Sequence, residues 1–212
     1  MKKIILAATM AVALLATTMA NANTISLTAT SGTTLTGTIV APGEDQISFG
    51  TLNGWSFSVI GGTTFPASGT AAAPYLDLNT VLITGIGAGN LVITFSGTDY
   101  TGIGGAKVVV QNSTLTGTFQ AYGGSSDLIN DETHALLGSP ITLSTSPQTV
   151  LGLGVLGTSP NPYSLTEVLT ITGGAPGSLD SILTEVPDGG LTMTMLGTAL
   201  VGLQILRRKV LC

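Results

Sequence analysis

The chain has 212 residues, of which only 8% are charged, and a formal net charge of −5. Between residues 23 and 186 one cation, Lys107, stands against ten acidic residues, a net charge of −9. Such a segment has nothing to neutralise phosphates, which excludes nucleic-acid binding and disfavours anionic lipid surfaces.

The N-terminus has the layout of a secretory signal peptide. Lys2 and Lys3 precede an apolar run over residues 4–16, and a small-x-small pattern follows at Ala20 and Ala22. This pattern predicts a signal peptide over 1–22, cleaved between Ala22 and Asn23 by signal peptidase after passage through the secretion translocon. No cysteine lies near the site, so a bacterial lipoprotein is excluded.

The segment that follows alternates apolar and polar residues between Gly, Pro and Asn breaks, which is typical of half-buried strands. We predict a single domain over 23–173 and a linker over 174–185. The fold class is all-β, a two-sheet antiparallel β-sandwich that is jelly-roll-like. A β-solenoid is disfavoured because no fixed repeat period is present. The predicted strands are 24–30, 33–40, 46–51, 55–60, 75–84, 91–98, 107–111, 114–122, 140–144, 149–156 and 163–172.

One acidic loop carries residue types that bind calcium. Asp127, Asp131 and Glu132 could supply loop oxygens to a weak Ca²⁺ site, as in some extracellular modules. The spacing does not match an EF-hand, and an acidic solvated loop between the sheets is the alternative interpretation. His134 is the only histidine, so a catalytic zinc site is not indicated and we predict no metal or cofactor.

Catalytic patterns are missing elsewhere in the sequence. The only cysteine is Cys212, and no Gly-x-Ser-x-Gly elbow appears. A glycosidase-type carboxylate pair such as Asp99 with Glu167 has no support from spacing. We therefore predict a protein that is not an enzyme. Sugar stacking would need several outward-facing aromatic rings, although the alternation around Trp55 favours a core position for that residue. The candidate rings are Trp55, Tyr75, Tyr100, Tyr122 and Tyr163.

The C-terminus combines three elements in a fixed order. A turn-forming stretch comes first, then an apolar run over residues 191–206, then three cations. As a helix the run would be about 24 Å long, close to the roughly 30 Å hydrocarbon core of a bilayer. The cations place the C-terminus in the cytoplasm and the body outside. The turn-forming residues are Val186, Pro187, Asp188, Gly189 and Gly190, and the cations are Arg207, Arg208 and Lys209.

This tail, over 186–212, resembles a PEP-CTERM sorting signal in a variant with Val-Pro-Asp-Gly-Gly in place of Val-Pro-Glu-Pro. The stretch 162–172 is also similar to the strand that often precedes such tails. The resemblance implies recognition of residues 186–190 by an exosortase, an integral-membrane Cys protease or transpeptidase, and retention through Arg207, Arg208 and Lys209. It implies no defined activity for the body.

Together these features predict an exported cell-envelope or extracellular-matrix protein with a non-catalytic body, associated with exopolysaccharide or biofilm. It would be anchored in the membrane transiently or permanently by a single transmembrane helix, and then lie at the cell surface or outside the cell. A carbohydrate-binding or adhesive surface module is the alternative, and a secreted hydrolase is a third hypothesis.

Overall fold

A computed structural model describes residues 23–29, 33–36, 38–41, 43–102, 104–124, 127–156 and 162–186. The regular structure in these ranges is entirely β-strand. The strands are β1 (Asn23–Ala29), β2 (Thr34–Thr36), β3 (Thr38–Ala41), β4 (Glu44–Leu52), β5 (Trp55–Thr64), β6 (Tyr75–Gly85), β7 (Leu91–Tyr100), β8 (Gly105–Asn112), β9 (Leu115–Gly123), β10 (His134–Ala135), β11 (Ile141–Leu143), β12 (Gln148–Val155), β13 (Tyr163–Gly174) and β14 (Gly177–Val186).

The strands form two antiparallel sheets of seven strands each. Sheet A has the order β10-β9-β13-β7-β1-β2, with β11 also paired to β9, and sheet B has the order β12-β8-β14-β6-β5-β4-β3. The predicted all-β, two-sheet antiparallel sandwich is therefore confirmed, while the jelly-roll-like subtype stays a prediction. Within the described ranges no helix has the length and apolarity to cross a membrane. The predicted signal peptide, residues 187–190 and the C-terminal run and cations lie outside those ranges.

Alternation along each strand builds the core between the sheets. In β8 the side chains of Val108 and Val110 are fully buried, whereas Lys107 and Gln111 face solvent on the opposite side. Trp55 is also fully buried, as the pattern around it predicts. Fully burying a side chain of this kind contributes roughly 1.5–3 kcal/mol relative to exposure, so the inward set holds the two sheets together.

The segment predicted as a linker over 174–185 differs most from its expectation. Most of it is β14, which lies near the centre of sheet B between β8 and β6. Leu179 and Leu183 are buried, while Asp180 lies on the outer side of the sheet. The acidic and hydroxyl residues of this strand resemble a linker in composition. Its burial comes from pairing with strands that are distant in sequence, which the segment itself does not encode.

We expect Gly154→Ala to destabilise the fold by about 1–3 kcal/mol, because the new Cβ would collide with the backbone carbonyl oxygen of Leu136. Gly138→Ala is the matched control, since a Cβ there has no neighbour within 4 Å. Urea titration of the chain in mild nonionic detergent, followed by the fluorescence of the buried Trp55, measures both variants. Equal midpoints for the two variants would contradict the predicted packing of β12.

Candidate functional site

The outer face of sheet B carries the clearest pattern of surface chemistry. Strands β12, β8 and β14 are neighbours there, and their register aligns outward side chains in rows. Adjacent strands are about 4.8 Å apart, so side chains in one row can contact the same ligand. From the Val186 end of β14 toward the other end of the sheet, the rows are Leu153–Lys107–Thr184, then Leu151–Val109–Ile182, then Thr149–Gln111–Asp180.

The last of these rows borders an open groove of about 620 Å³, within the size range of small-ligand sites. Gln111 and Thr149 are exposed in this groove, and Asp180 is partly buried, with an Oδ1 atom that is itself buried and has no hydrogen-bond partner among the described residues. An exposed amide and an exposed hydroxyl therefore lie next to a partly buried carboxylate. The groove is lined by Gln111, Asn112, Ser113, Pro147, Gln148, Thr149, Ser178, Leu179 and Asp180.

Part of the groove wall is fixed by its own hydrogen bonds. The Gln148 side chain accepts a bond from Ser144 Oγ at 2.9 Å and donates one to the Thr142 carbonyl at 3.1 Å. The Asn112 side chain donates to the Leu115 and Ser144 carbonyls at 2.9 and 2.8 Å. These side chains shape the groove, and Gln111, Thr149 and Asp180 are left as the polar groups that face a ligand.

Asp180 also belongs to an acidic group with Asp77 and Tyr75 on the neighbouring strand β6. The Tyr75 hydroxyl donates to Asp77 Oδ2 at 3.0 Å. Burial and the nearby Asp180 carboxyl raise the pKa of Asp77 to about 6, although the bond from Tyr75 opposes the shift. Burial also raises the pKa of Asp180, and burial with the charge of Asp77 raises that of Tyr75 to about 12. A proton held between Asp77 and Asp180 relieves the repulsion of two adjacent carboxylates.

Glu167 lies directly behind this group, in the core between the sheets. Its carboxyl group is fully buried, and Ser181 Oγ donates to its Oε2 at 3.1 Å. Burial raises the pKa of Glu167 well above its ordinary value, and the charges of Asp77 and Asp180 add to the shift. The sequence suggests Glu167 only as a formal partner of Asp99. Its actual partner, Ser181, is a polar residue at an inward-facing position of β14, and that inward polar position is the sequence signal for a buried hydrogen bond.

The structure does not bring Asp99 and Glu167 together as a facing pair. Asp99 lies at the loop end of β7, where its backbone N–H donates to Asp127 Oδ1 at 2.7 Å. Burial, and after it the Asp127 carboxylate, raises the pKa of Asp99. Asp99 therefore belongs to the acidic loop rather than to a catalytic pair.

The predicted calcium ligands are partly occupied with backbone contacts. Asp127 accepts the bond from Asp99, and Asp131 Oδ1 accepts one from the Thr133 N–H at 3.0 Å. Glu132 is exposed. Among the residues that the structure describes, no three His, Cys, Asp or Glu side chains are arranged to hold a metal ion. The calcium site and the solvated loop both stay predictions.

The candidate aromatic rings do not form one surface platform. Trp55, Tyr100 and Tyr163 are buried, and the last two pack with ring centroids 6.1 Å apart. The Tyr163 hydroxyl donates to the Gly102 carbonyl at 2.6 Å, and that of Tyr100 contacts Thr64 Oγ1. Tyr75 and Tyr122 are half-buried but lie on different sheets. Aromatic stacking of a sugar would be limited to single rings.

Comparison with known proteins gives little further information. No protein-family model and no curated protein matches the chain. One solved structure, described as "CBM4 structure and function", is similar with a TM-score of 0.28 and 10% identity, over 68% of this chain and 91% of that chain. A likeness at this level carries no argument about the ligand or the activity of this chain.

The raised acid pKa values predict that stability falls as pH rises. The native state holds protons that the unfolded state has already released, so unfolding becomes easier between about pH 4 and the native pKa of Asp77, about 6. Glu167 extends this loss to higher pH. Thermal melting between pH 4 and pH 8 should show a falling midpoint.

Two charge-removing variants separate the contributions of Asp77 and Glu167 to this loss of stability. Asp77→Asn should flatten the decline below pH 6, and Glu167→Gln should flatten it above that value and keep an acceptor for Ser181. Glu132→Gln in the exposed loop is the control and should follow the parent curve. A melting midpoint that rises across the whole range in the parent chain would contradict the predicted sign.

Proposed function

We propose that this chain is an exported cell-envelope or extracellular-matrix protein whose C-terminal tail is processed by an exosortase-type enzyme. The β-sandwich is its non-catalytic body. The chain would be anchored with the body outside the cytoplasm, and then released or transferred to the surface. Its partners would be the translocon, signal peptidase, the exosortase, the membrane and exopolysaccharide.

The observation that carries this proposal is that both ends of the body proposed to remain after processing are built into the sandwich. Strand β1 (Asn23–Ala29) follows the proposed cleavage site, and β14 (Gly177–Val186) reaches the first residue of the proposed sorting motif. Both end strands are integral to the sandwich, since β1 pairs with β7 and β14 lies between β8 and β6. Trimming at the two proposed sites would therefore leave all the described strands in place.

The acid chemistry supports a body without catalytic function. Asp77 and Asp180 lie close enough for each carboxyl group to shift the pKa of the other, whereas glycosidase carboxyl groups stand about 5 Å apart or more to flank the scissile bond. Glu167 is sealed in the core with no exposed surface. Neither arrangement leaves an acid and a base on opposite sides of a substrate.

Intact-mass analysis of the protein from its native host tests the processing steps. We expect a mature N-terminus at Asn23 and a C-terminus within 186–190. Pro187→Ala with Asp188→Ala should leave the tail uncleaved, because the extended, turn-forming segment would be lost. Thr118→Ala, an exposed change on β9, is the control and should be processed normally. Retention of residues 1–22 in the parent protein, or normal trimming of the double variant, would contradict the proposal.

A second candidate function is carbohydrate binding, which the polar row beside the groove favours. Thr149, Gln111 and Asp180 lie on three adjacent strands and offer donors and acceptors next to the apolar row Leu151–Val109–Ile182. Sugars have polar edges and apolar faces, so paired rows of this kind complement them. An exposed aromatic is not required for this contact.

Binding to an array of bacterial exopolysaccharide fragments tests this candidate. We expect the double variant Gln111→Ala and Thr149→Ala to lose about tenfold or more in affinity, since each hydrogen bond contributes roughly 0.5–1.5 kcal/mol. The double variant Thr116→Ala and Thr118→Ala on β9 is the matched control on the other sheet and should bind as the parent does. No binding by the parent, or equal loss in both variants, would exclude this face.

A further inference from the structure

At the end of sheet B near Val186, opposite the groove, the outer face is apolar and carries one cation. Leu151 and Leu153 on β12 are 58% and 67% exposed. Lys107, the only cation among the described residues, is the direct cross-strand neighbour of Leu153 and is also exposed. We call Leu151, Leu153 and Lys107 the leucine–lysine patch.

Strand β14 reaches Val186 close to this patch. Val186 pairs with Gly105, and Gly105 also pairs with Val155 at the end of β12. Leu153 is therefore two strands and two residues away from Val186, a separation of roughly 12 Å by standard sheet spacing. A surface that lies next to Val186 would therefore also lie close to the leucine–lysine patch.

We propose that the leucine–lysine patch docks the body onto the phospholipid surface from which the tail emerges. This inference rests on the proposed function, in which residues 191–206 span the membrane. Only residues 187–190 separate Val186 from that run, and four residues extend at most about 14 Å. A tether of this length holds the end of sheet B against the headgroups.

The chemistry of the patch fits a headgroup layer. The two leucines insert apolar surface at the boundary between headgroups and acyl chains, and the Lys107 ammonium reaches the lipid phosphate. On the same face Asp77 of β6 lies in the row of Leu151, next to Ile182, and Asp180 lies one row farther from Val186, beside the groove. Docking through Leu153 and Lys107 therefore leaves the groove at least one row beyond the docked end of the face.

Depth-dependent fluorescence quenching of the full chain tests the proposal. The background variant Cys212→Ser removes the only cysteine. To it is added Leu153→Cys, Leu82→Cys or Met195→Cys, and each new thiol is labelled with an environment-sensitive fluorophore. Each chain is reconstituted in phosphatidylcholine vesicles with brominated acyl chains. Leu82 is the matched control, a 38% exposed leucine on β6 that pairs with Ser178 at the opposite end of the sheet.

We expect at least twofold stronger quenching at position 153 than at position 82, and quenching at 195 inside the proposed span. Lys107→Glu should reduce the quenching at 153 and leave that at 195 unchanged. Quenching at 195 but equal, weak quenching at 153 and 82 overturns the docking and leaves the proposed function standing. Absence of quenching at both 195 and 153 overturns the anchor together with the docking. A disulfide-linked dimer of the unlabelled Leu153→Cys chain would overturn the docking and assign the patch to a second copy instead.

Discussion

The scarcity of cations constrains the whole body of this protein. With Lys107 as the only positive side chain among the described residues, the carboxyl groups cannot form a network of ion pairs. They accept hydrogen bonds from backbone N–H and hydroxyl groups instead. Asp45 shows the result most clearly, since its Oδ2 accepts the Ile25 N–H at 2.6 Å and its Oδ1 accepts the Gln46 N–H at 2.8 Å. Because Ile25 lies in sheet A and Asp45 in sheet B, this one carboxylate joins the two sheets.

Glu167 shows the same constraint inside the core. A buried carboxylate without a cation is costly, whereas a protonated one that also accepts a bond from Ser181 is tolerated. The scarcity of cations also explains why these acidic pKa values are raised. Burial disfavours the charged form of each carboxyl group, and no nearby cation opposes that effect. The affected acids are Asp45, Asp77, Asp99, Glu167, Asp180 and Glu185. Such a body would be more stable to unfolding at acidic pH than at alkaline pH.

Local alternation predicted the strands well, because one buried face leaves a period of two in the sequence. The inward residues of β9, Leu115, Phe119 and Ala121, could be read directly in this way. Alternation says nothing about which strands become neighbours. The row Thr149–Gln111–Asp180 draws on three strands separated by tens of residues, so no local pattern could reveal it. β14 was missed for the same reason, since its place in sheet B depends on partners far away in the chain.

The position of β14 gives the two ends of sheet B different surroundings. A strand paired on both sides cannot move without breaking two ladders, so the position of Val186 is fixed relative to the outer face. In the proposed anchoring, a tether that leaves from a fixed point would orient the body as well as attach it. The rows of that face change from apolar with one cation near Val186 to polar beside the groove. In the proposed docking, the placement of β14 would set the apolar end of this face against the lipid and the polar row farther from it.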